Sequence, residues 1–276
     1  MSWSTGTIGA AAGLPGAAAT EVDPAWQPWL DLLEVALEEP DRAWESAVTP
    51  RADRPAGAPL VHGAALRLDS ERAGNLLRRL ANEAGISAGG HIDAREAIRA
   101  AIAHDERALA EMAERCGAPI DSLALLAQVV AMPLLRAASR QMPAGTEVAW
   151  QRGYCPVCGA WPSLVEIRGI ERERRLRCAS CSADWSLPLL RCAFCDEADH
   201  GKLGSLHPDG EEHLRHVETC ESCHGYLKAA TTFAALPIRT LLLVDVATIS
   251  LDLAAHDRGY ARPSRPGWMP TVDVVS

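Results

Sequence analysis

Between Cys155 and Cys223 the chain carries four Cys-x-x-Cys pairs, 155/158, 178/181, 192/195 and 220/223, and this spacing constrains the fold more than any other feature. A Cys-x-x-Cys turn aims two thiolates at one point, so two such turns complete a tetrahedral four-cysteine site. The eight paired cysteines therefore supply two sites with nothing left over, while Cys116 stands apart near the end of a helical stretch and reads as a small buried hydrophobe. Joining neighbouring pairs closes 19 residues in the first site and 24 in the second, which suits two successive ribbons or rubredoxin-like knuckles. The competing arrangement leaves only ten residues between 178/181 and 192/195, and it forces 155/158 to reach 220/223.

Zinc and iron both accept four thiolates tetrahedrally, so the spacing points to metal without choosing which. "CPVCG" is the most specific turn, because Gly159 frees the backbone for amide-to-sulfur hydrogen bonds; "CASCS", "CAFCD" and "CESCH" lack that glycine. A closed tetrathiolate has no open position for substrate, so its first role is to organise a small domain with too little apolar area of its own. Structural zinc in a finger peptide contributes about 10 to 16 kcal/mol of apparent folding energy. A redox-active iron site is the alternative from a different class. Thiol–disulfide chemistry fits poorly, because thioredoxin-type motifs need a βαβ setting that is absent, and no ferredoxin spacing is present.

The rest of the chain frames these turns. Apolar residues Trp26, Trp29, Leu30, Leu33 and Leu37 fall at helical spacing after Pro24, and "SERAGNLLRRLANEAG" repeats the pattern. "DAREAIRAAIAHDERALAEMAERCG" predicts a helix ended by Gly117. "DSLALLAQVVAMPLLRAASRQM" predicts another, capped by Asp121 and kinked or divided at Pro133. After Val148, "SLVEIRG" and "RRLRC" read as hairpin strands between metal-binding turns, and the chain beyond Cys223 returns to helix with a break at Pro237. The expected fold class is α+β: a helical N-terminal domain, two tandem rubredoxin-like or zinc-ribbon four-cysteine modules, and a C-terminal helix. The expected boundaries are a disordered leader over 1–22, a helical domain over 23–148, metal modules over 149–188 and 189–230, and a helix with a loose Pro-rich tail over 231–276.

Composition narrows function further. A formal charge of −9 becomes more negative still if metals bind, since four thiolates around a divalent cation leave about −2. General nucleic-acid affinity is therefore disfavoured, although zinc-ribbon nucleic-acid binding stands as a third reading. The Ala/Gly-rich N-terminus has neither basic nor apolar signal regions, and "LLLVDVATISLDLAA" is too short and too charged to span a bilayer, so the expected compartment is the cytoplasm and no membrane partner is expected. The run "RERRLR" reads as a solvated hairpin because Glu171 and Glu173 interleave with it. The histidines, including His91, His104, His200, His207, His213, His216 and His224, read as exposed, though "HLRH" could extend a metal site. Trp161 and Trp185 follow turns and read as apolar shields for the sulfurs. No phosphate loop, nucleotide fingerprint or nucleophile elbow is present, and no catalytic residue is assigned.

The blocks "CPVCGAWP", "RLRCASCSADWSLPLLRCAFC" and "VETCESCHGYLKAA", with "VDVATISLDLAAHDRGYARP" after them, resemble the FdhE family of formate dehydrogenase accessory proteins. The resemblance is tight over 153–262 and general over the helical part. It implies a cytoplasmic maturation factor, not an enzyme, that binds the catalytic subunit of a molybdenum- or tungsten-dependent formate dehydrogenase before that enzyme is complete. It further implies two thiolate-bound metal ions, iron by family and zinc as the other option, held by Cys155, Cys158, Cys178, Cys181, Cys192, Cys195, Cys220 and Cys223. Ser182 and His224 depart from the family, which usually has glycine after a turn.

Overall fold

A computed structural model describes residues 22–86, 92–208 and 214–275. The leader reading therefore falls almost wholly outside the described residues, as do His91 and His213. A short 3-10 turn at Pro24–Trp26, capped by the Asp23 carboxylate, leads into α1 (Gln27–Leu37), which buries Leu30 and Leu33. Next come β1 (Val48–Thr49) and β2 (Ala64–Arg67), then α2 (Ser70–Glu83) and α3 (Ala94–Ala103). Asp69 and Asp93 cap α2 and α3 by accepting two backbone N–H groups each.

The single helix read over 93–117 is two. His104 takes a left-handed conformation (φ 52°), Asp105 caps the next helix by accepting from the N–H of Ala108, and α4 (Glu106–Cys116) ends at left-handed Gly117 as the sequence predicts. Periodicity continues across this corner, which is why sequence alone does not reveal it. The corner lets α3 and α4 both pack on α5 (Ile120–Ser139), the central helix. Pro133 lies inside α5 without dividing it, and α5 starts after Pro119, with Asp121 in its first turn and not at its cap. Of the described helices α5 alone is long and apolar enough to cross a membrane, and most of it is buried in the core.

A single turn, α6 (Thr146–Ala149), precedes the metal-binding region. There β3 (Leu164–Arg168), β4 (Glu173–Arg177) and β5 (Asp184–Ser186) form one antiparallel unit, and β6 (Leu203–Leu206), β7 (Arg215–Cys220) and β8 (Tyr226–Thr232) form another. Each unit follows the same chain order: turn, two strands, turn, one strand. They fuse through parallel β3–β8 pairing, Val165 opposite Ala229 and Ile167 opposite Thr231, into one six-stranded sheet ordered β5-β4-β3-β8-β7-β6. The helix expected directly after Cys223 is thus strand β8. The helices begin only after Pro237, as α7 (Ile238–Ala247) and α8 (Ile249–His256).

Helix α7 mediates between halves. Leu241 and Val244 pack on Leu164 and Ala230 of the sheet, while Leu242 and Val246 join the helical core, and Arg239 pairs with Glu34 of α1. The tail is not loose: β9 (Val272–Val275) pairs parallel with β2, completing a three-stranded sheet with β1 inside what reads in sequence as a purely helical region.

Candidate metal centres

All four Cys-x-x-Cys turns share one backbone design. The N–H of each leading cysteine (155, 178, 192, 220) donates to the carbonyl five residues on, at 2.8 to 3.0 Å. The residue after each closing cysteine is left-handed: Gly159 (φ 79°), Ser182 (64°), Asp196 (67°) and His224 (52°). Glycine adopts this conformation freely, and aspartate and histidine tolerate it better than most residues. The departures at Ser182 and His224 therefore keep the turn geometry. Gly159 is required for a second reason as well, since a Cβ there would lie 2.7 Å from the carbonyl oxygen of Trp268.

The turns pair in chain order. Cys155, Cys158, Cys178 and Cys181 form one cluster and Cys192, Cys195, Cys220 and Cys223 the other, with the sulfurs of each within 4.8 Å of one another. In the first, Cys155–Cys181 and Cys158–Cys178 sulfurs lie 3.4 and 3.5 Å apart; in the second, Cys192–Cys223 and Cys195–Cys220 lie 3.7 Å apart. A tetrahedron with metal–sulfur bonds of about 2.3 Å has edges of about 3.8 Å, so both clusters fit a tetrathiolate-bound cation. The N–H groups of Val157 and Phe194 donate to Cys155 and Cys192 Sγ at 3.4 Å, the amide-to-sulfur bonds that such turns supply.

The thiols themselves call for positive charge. Burial pushes Cys155 and Cys181 well up from the usual thiol value, while sulfur hydrogen bonds from Cys155, Cys158 and Cys181 pull Cys178 well down. In the second cluster burial raises Cys192 and takes Cys223 to about 11; Cys220 is also pushed up by burial, yet the N–H groups of Cys223 and Ser222 bring it below the usual value. Four thiols so close cannot all ionise alone, and a cation at the centre removes that obstacle.

The two centres differ in setting. All four cysteines of the first are buried, whereas Cys195 and Cys223 of the second are exposed. The N–H groups of Leu60 and Val61 bond the carbonyls of Pro156 and Val157, and the N–H of Trp268 bonds Gly159, so the helical half and the tail both close over the first centre. Trp185 is fully buried in the same core, as its shielding role predicts, with its indole N–H on the Arg152 carbonyl. Trp161 is only half-buried; it bonds the Arg265 carbonyl and meets Phe194 of the second centre edge-on at 5.2 Å. The centres are close neighbours, because a Cβ on Gly153 would fall 1.6 Å from the Ala193 carbonyl oxygen.

The sequence did not reveal the buried charge around these turns. "RERRLR" forms the predicted hairpin, yet Arg174, Arg175 and Arg177 are buried, not solvated. Arg177 and Arg168 both bond Glu166, which is fully buried and also accepts from the N–H of Leu236. Arg175 pairs with Asp184, and Arg174 of β4 crosses between units to Glu218 of β7 at 2.9 Å. Lys228, from the quoted "YLK", is buried against Asp245 and Asp252, and Tyr226 bonds the same Asp252. The alternation of Glu and Arg along β3 and β4 was the available signal. Among the described residues no histidine joins a metal cluster; His207 and His216 instead stack at 5.2 Å. Cys116 is buried, with its sulfur on the Ala113 carbonyl.

Comparison with known proteins accords with this geometry. The family model described as "FdhE, C-terminal domain" matches residues 190–267, from the first turn of the second unit through α8. Protein FdhE of Escherichia coli K12 is 34% identical over 123 residues, 44% of this chain and 39% of that protein. The FdhE homolog of Haemophilus influenzae is 35% identical over 129 residues, 45% of this chain and 42% of that protein. The matched stretch thus spans about two fifths of these relatives. The crystal structure of FdhE from Pseudomonas aeruginosa superposes with a TM-score of 0.50 at 22% identity, covering 85% of this chain and 91% of that one, so the fold is shared well beyond the matched stretch. The FdhE resemblance read in the sequence holds in both kinds of sequence comparison.

Proposed function

We propose that the chain is an accessory factor for the maturation of formate dehydrogenase, and that its eight paired cysteines hold two metal ions that fix the sheet as a rigid platform. The observation that carries this reading is the pair of complete four-cysteine clusters on one sheet, in a chain similar to FdhE over the second cluster and α7–α8. On this reading the metals are structural, with iron favoured by the resemblance. The cations balance the thiolate charge and the chain's own side chains do the positioning: Arg174 and Glu218 lock the two units together, and Lys228 anchors α8. No catalytic step is assigned. The protein acts in the cytoplasm, and its client is the catalytic subunit of a molybdenum- or tungsten-dependent formate dehydrogenase.

The test is to delete the chain from its host, measure assembled formate dehydrogenase activity, and ask whether the tagged chain co-purifies with a cofactor-free catalytic subunit. Loss of activity with recovery of the subunit is expected. Full activity without the chain, and no co-purification, overturns the reading. Elemental analysis of anaerobically purified protein should find two metals per chain.

A further inference from the structure

We propose that the second centre is an exchange site, open at Cys195 and Cys223 to a soft ligand such as a thiol-bearing or chelating molecule, while the first centre is closed to substitution. The inference rests on the reading that both clusters hold a cation. Substitution at a closed tetrathiolate requires an incoming donor to reach the sulfurs' side of the site, or one thiolate to swing away from it. At the first centre both are opposed: Cys181 borders a cavity of about 390 Å³ lined by Asp41, Arg136, Arg140 and Arg177, but its side chain is fully buried. All four cysteines are buried, and three backbone hydrogen bonds from residues 60, 61 and 268 pin the Cys155–Cys158 turn, so opening requires the two halves to separate locally.

The second centre lacks this cover on two sides. Cys195 and Cys223, the closing cysteines of their turns, reach solvent, and so do Asp196 and His224 after them, although the tail's Ala261 N–H bonds the His224 carbonyl at 2.8 Å. Beside the inner pair, a cavity of about 270 Å³ is lined by Cys192 and Cys220 and walled by Leu189, Leu190, Phe194 and Leu227. Leu189 and Leu190 are 63% and 59% exposed, so the cavity has an accessible apolar edge, with Arg174, Arg191, His216 and Glu218 also lining it. The exposed pair gives a soft sulfur donor its entry, and the cavity, which borders Cys192 and Cys220, can take an apolar body on the inner side of the cluster. In the exchange, the incoming thiol's sulfur replaces Cys195 or Cys223 Sγ as ligand and its proton passes through water to the released cysteine; no electrons are transferred.

The test uses the full chain purified with its metals. A colorimetric chelator, pyridylazoresorcinol, is added, release is followed in time, and aliquots are alkylated with iodoacetamide and mapped by peptide mass. One equivalent should leave on the order of ten times faster than the other, or more, since only the second requires local opening. Label should reach Cys195 and Cys223 during the fast phase and Cys155, Cys158, Cys178 and Cys181 only during the slow one. In the double variant Cys195→Ser with Cys223→Ser, the fast equivalent should be missing and the slow one unchanged. A single release rate, or first labelling at the buried centre, overturns the proposal. Fewer than two equivalents before chelation shows instead that the underlying metal reading has failed, and the proposal falls with it.

Discussion

The helical half and the sheet half bury different things. Every buried polar or charged residue among the described residues lies between Ser163 and Thr248: Ser163, Glu166, Arg174, Arg175, Arg177, Thr219, Lys228, Thr232 and Thr248. Residues 22–139 bury apolar side chains instead, led by Leu30, Leu33, Trp44, Leu66, Leu76, Leu80 and Ile98. The helices can do this because an amphipathic stripe gathers enough apolar area. The sheet cannot, because its strands are short and much of its interior is turn. It is held instead by ion pairs whose desolvation is offset only while every partner is present and, on the proposed reading, by ligation. The two halves should therefore fail in different ways.

Metal removal gives the largest contrast. Stripping both cations from the intact chain removes a contribution on the order of 10 kcal/mol from the sheet half alone. Hydrogen exchange followed by mass spectrometry should then show β3–β8 exchanging freely while α2–α5 keep most of their protection. Because Leu60 and Val61 bond the first turn, the segment before β2 should loosen too. Unchanged protection in the sheet would erase the distinction between the halves.

Single substitutions come next, and the conservative rescue discriminates. Glu166→Ala removes the carboxylate that buried Arg177 bonds, while half-buried Arg168 keeps Asp184, and it should cost about 3 to 5 kcal/mol. Glu166→Gln restores volume and an acceptor for Leu236 but no charge, so it should recover only part of that in denaturant titrations. Leu33→Ala should cost about 2 to 5 kcal/mol, whereas Leu33→Met should cost less than about 1.5, because there only volume is missing. Equal rescue at both positions would mean that the sheet half is an apolar core after all.

Acid protonates the thiolates and releases the metals, and beyond that loss it should bring one smaller effect at an ion pair of the sheet. Burial pushes the Asp184 carboxyl up, but Arg175 and Arg168 outweigh it and hold the group below its ordinary 3.8. A carboxylate depressed in the folded state stabilises above its unfolded value, and that stabilisation is lost as pH falls through the folded one. Stability should thus decline below about pH 4, and Asp184→Asn should flatten the decline in an acid titration monitored by tryptophan fluorescence.

The contrast also explains which parts of the molecule were legible in sequence. The stop at Gly117 acts within three or four residues of itself and was legible, but the cap read at Asp121 lies in the first turn of α5, and the left-handed turn at His104 carries no marker that distinguishes it from a helical residue. Burial of Arg174 was invisible because its partner, Glu218, lies 44 positions away. "YLKAATT" reads as helix because Ala and Leu favour one, yet its backbone groups lie between β3 and β7, and pairing on both edges outweighs a weak local preference.

The sequence by itself determined the eight clustered cysteines, their division into two sites and the helical stretches of the N-terminal half, though not the corner at His104 that splits one of them. Each of these is set by short-range spacing: two residues between thiols, three or four between apolar side chains, and loops too short to favour another pairing. Only the tertiary structure decided that the two units share one sheet, that the tail returns as β9 beside β2, and that one centre is buried while the other meets solvent. Those outcomes depend on which distant surfaces meet. The Leu60–Val61 segment and the tail close over the first centre, whereas at the second the tail's Ala261 bonds the His224 carbonyl but leaves Cys195 and Cys223 in solvent, and no local spacing encodes that.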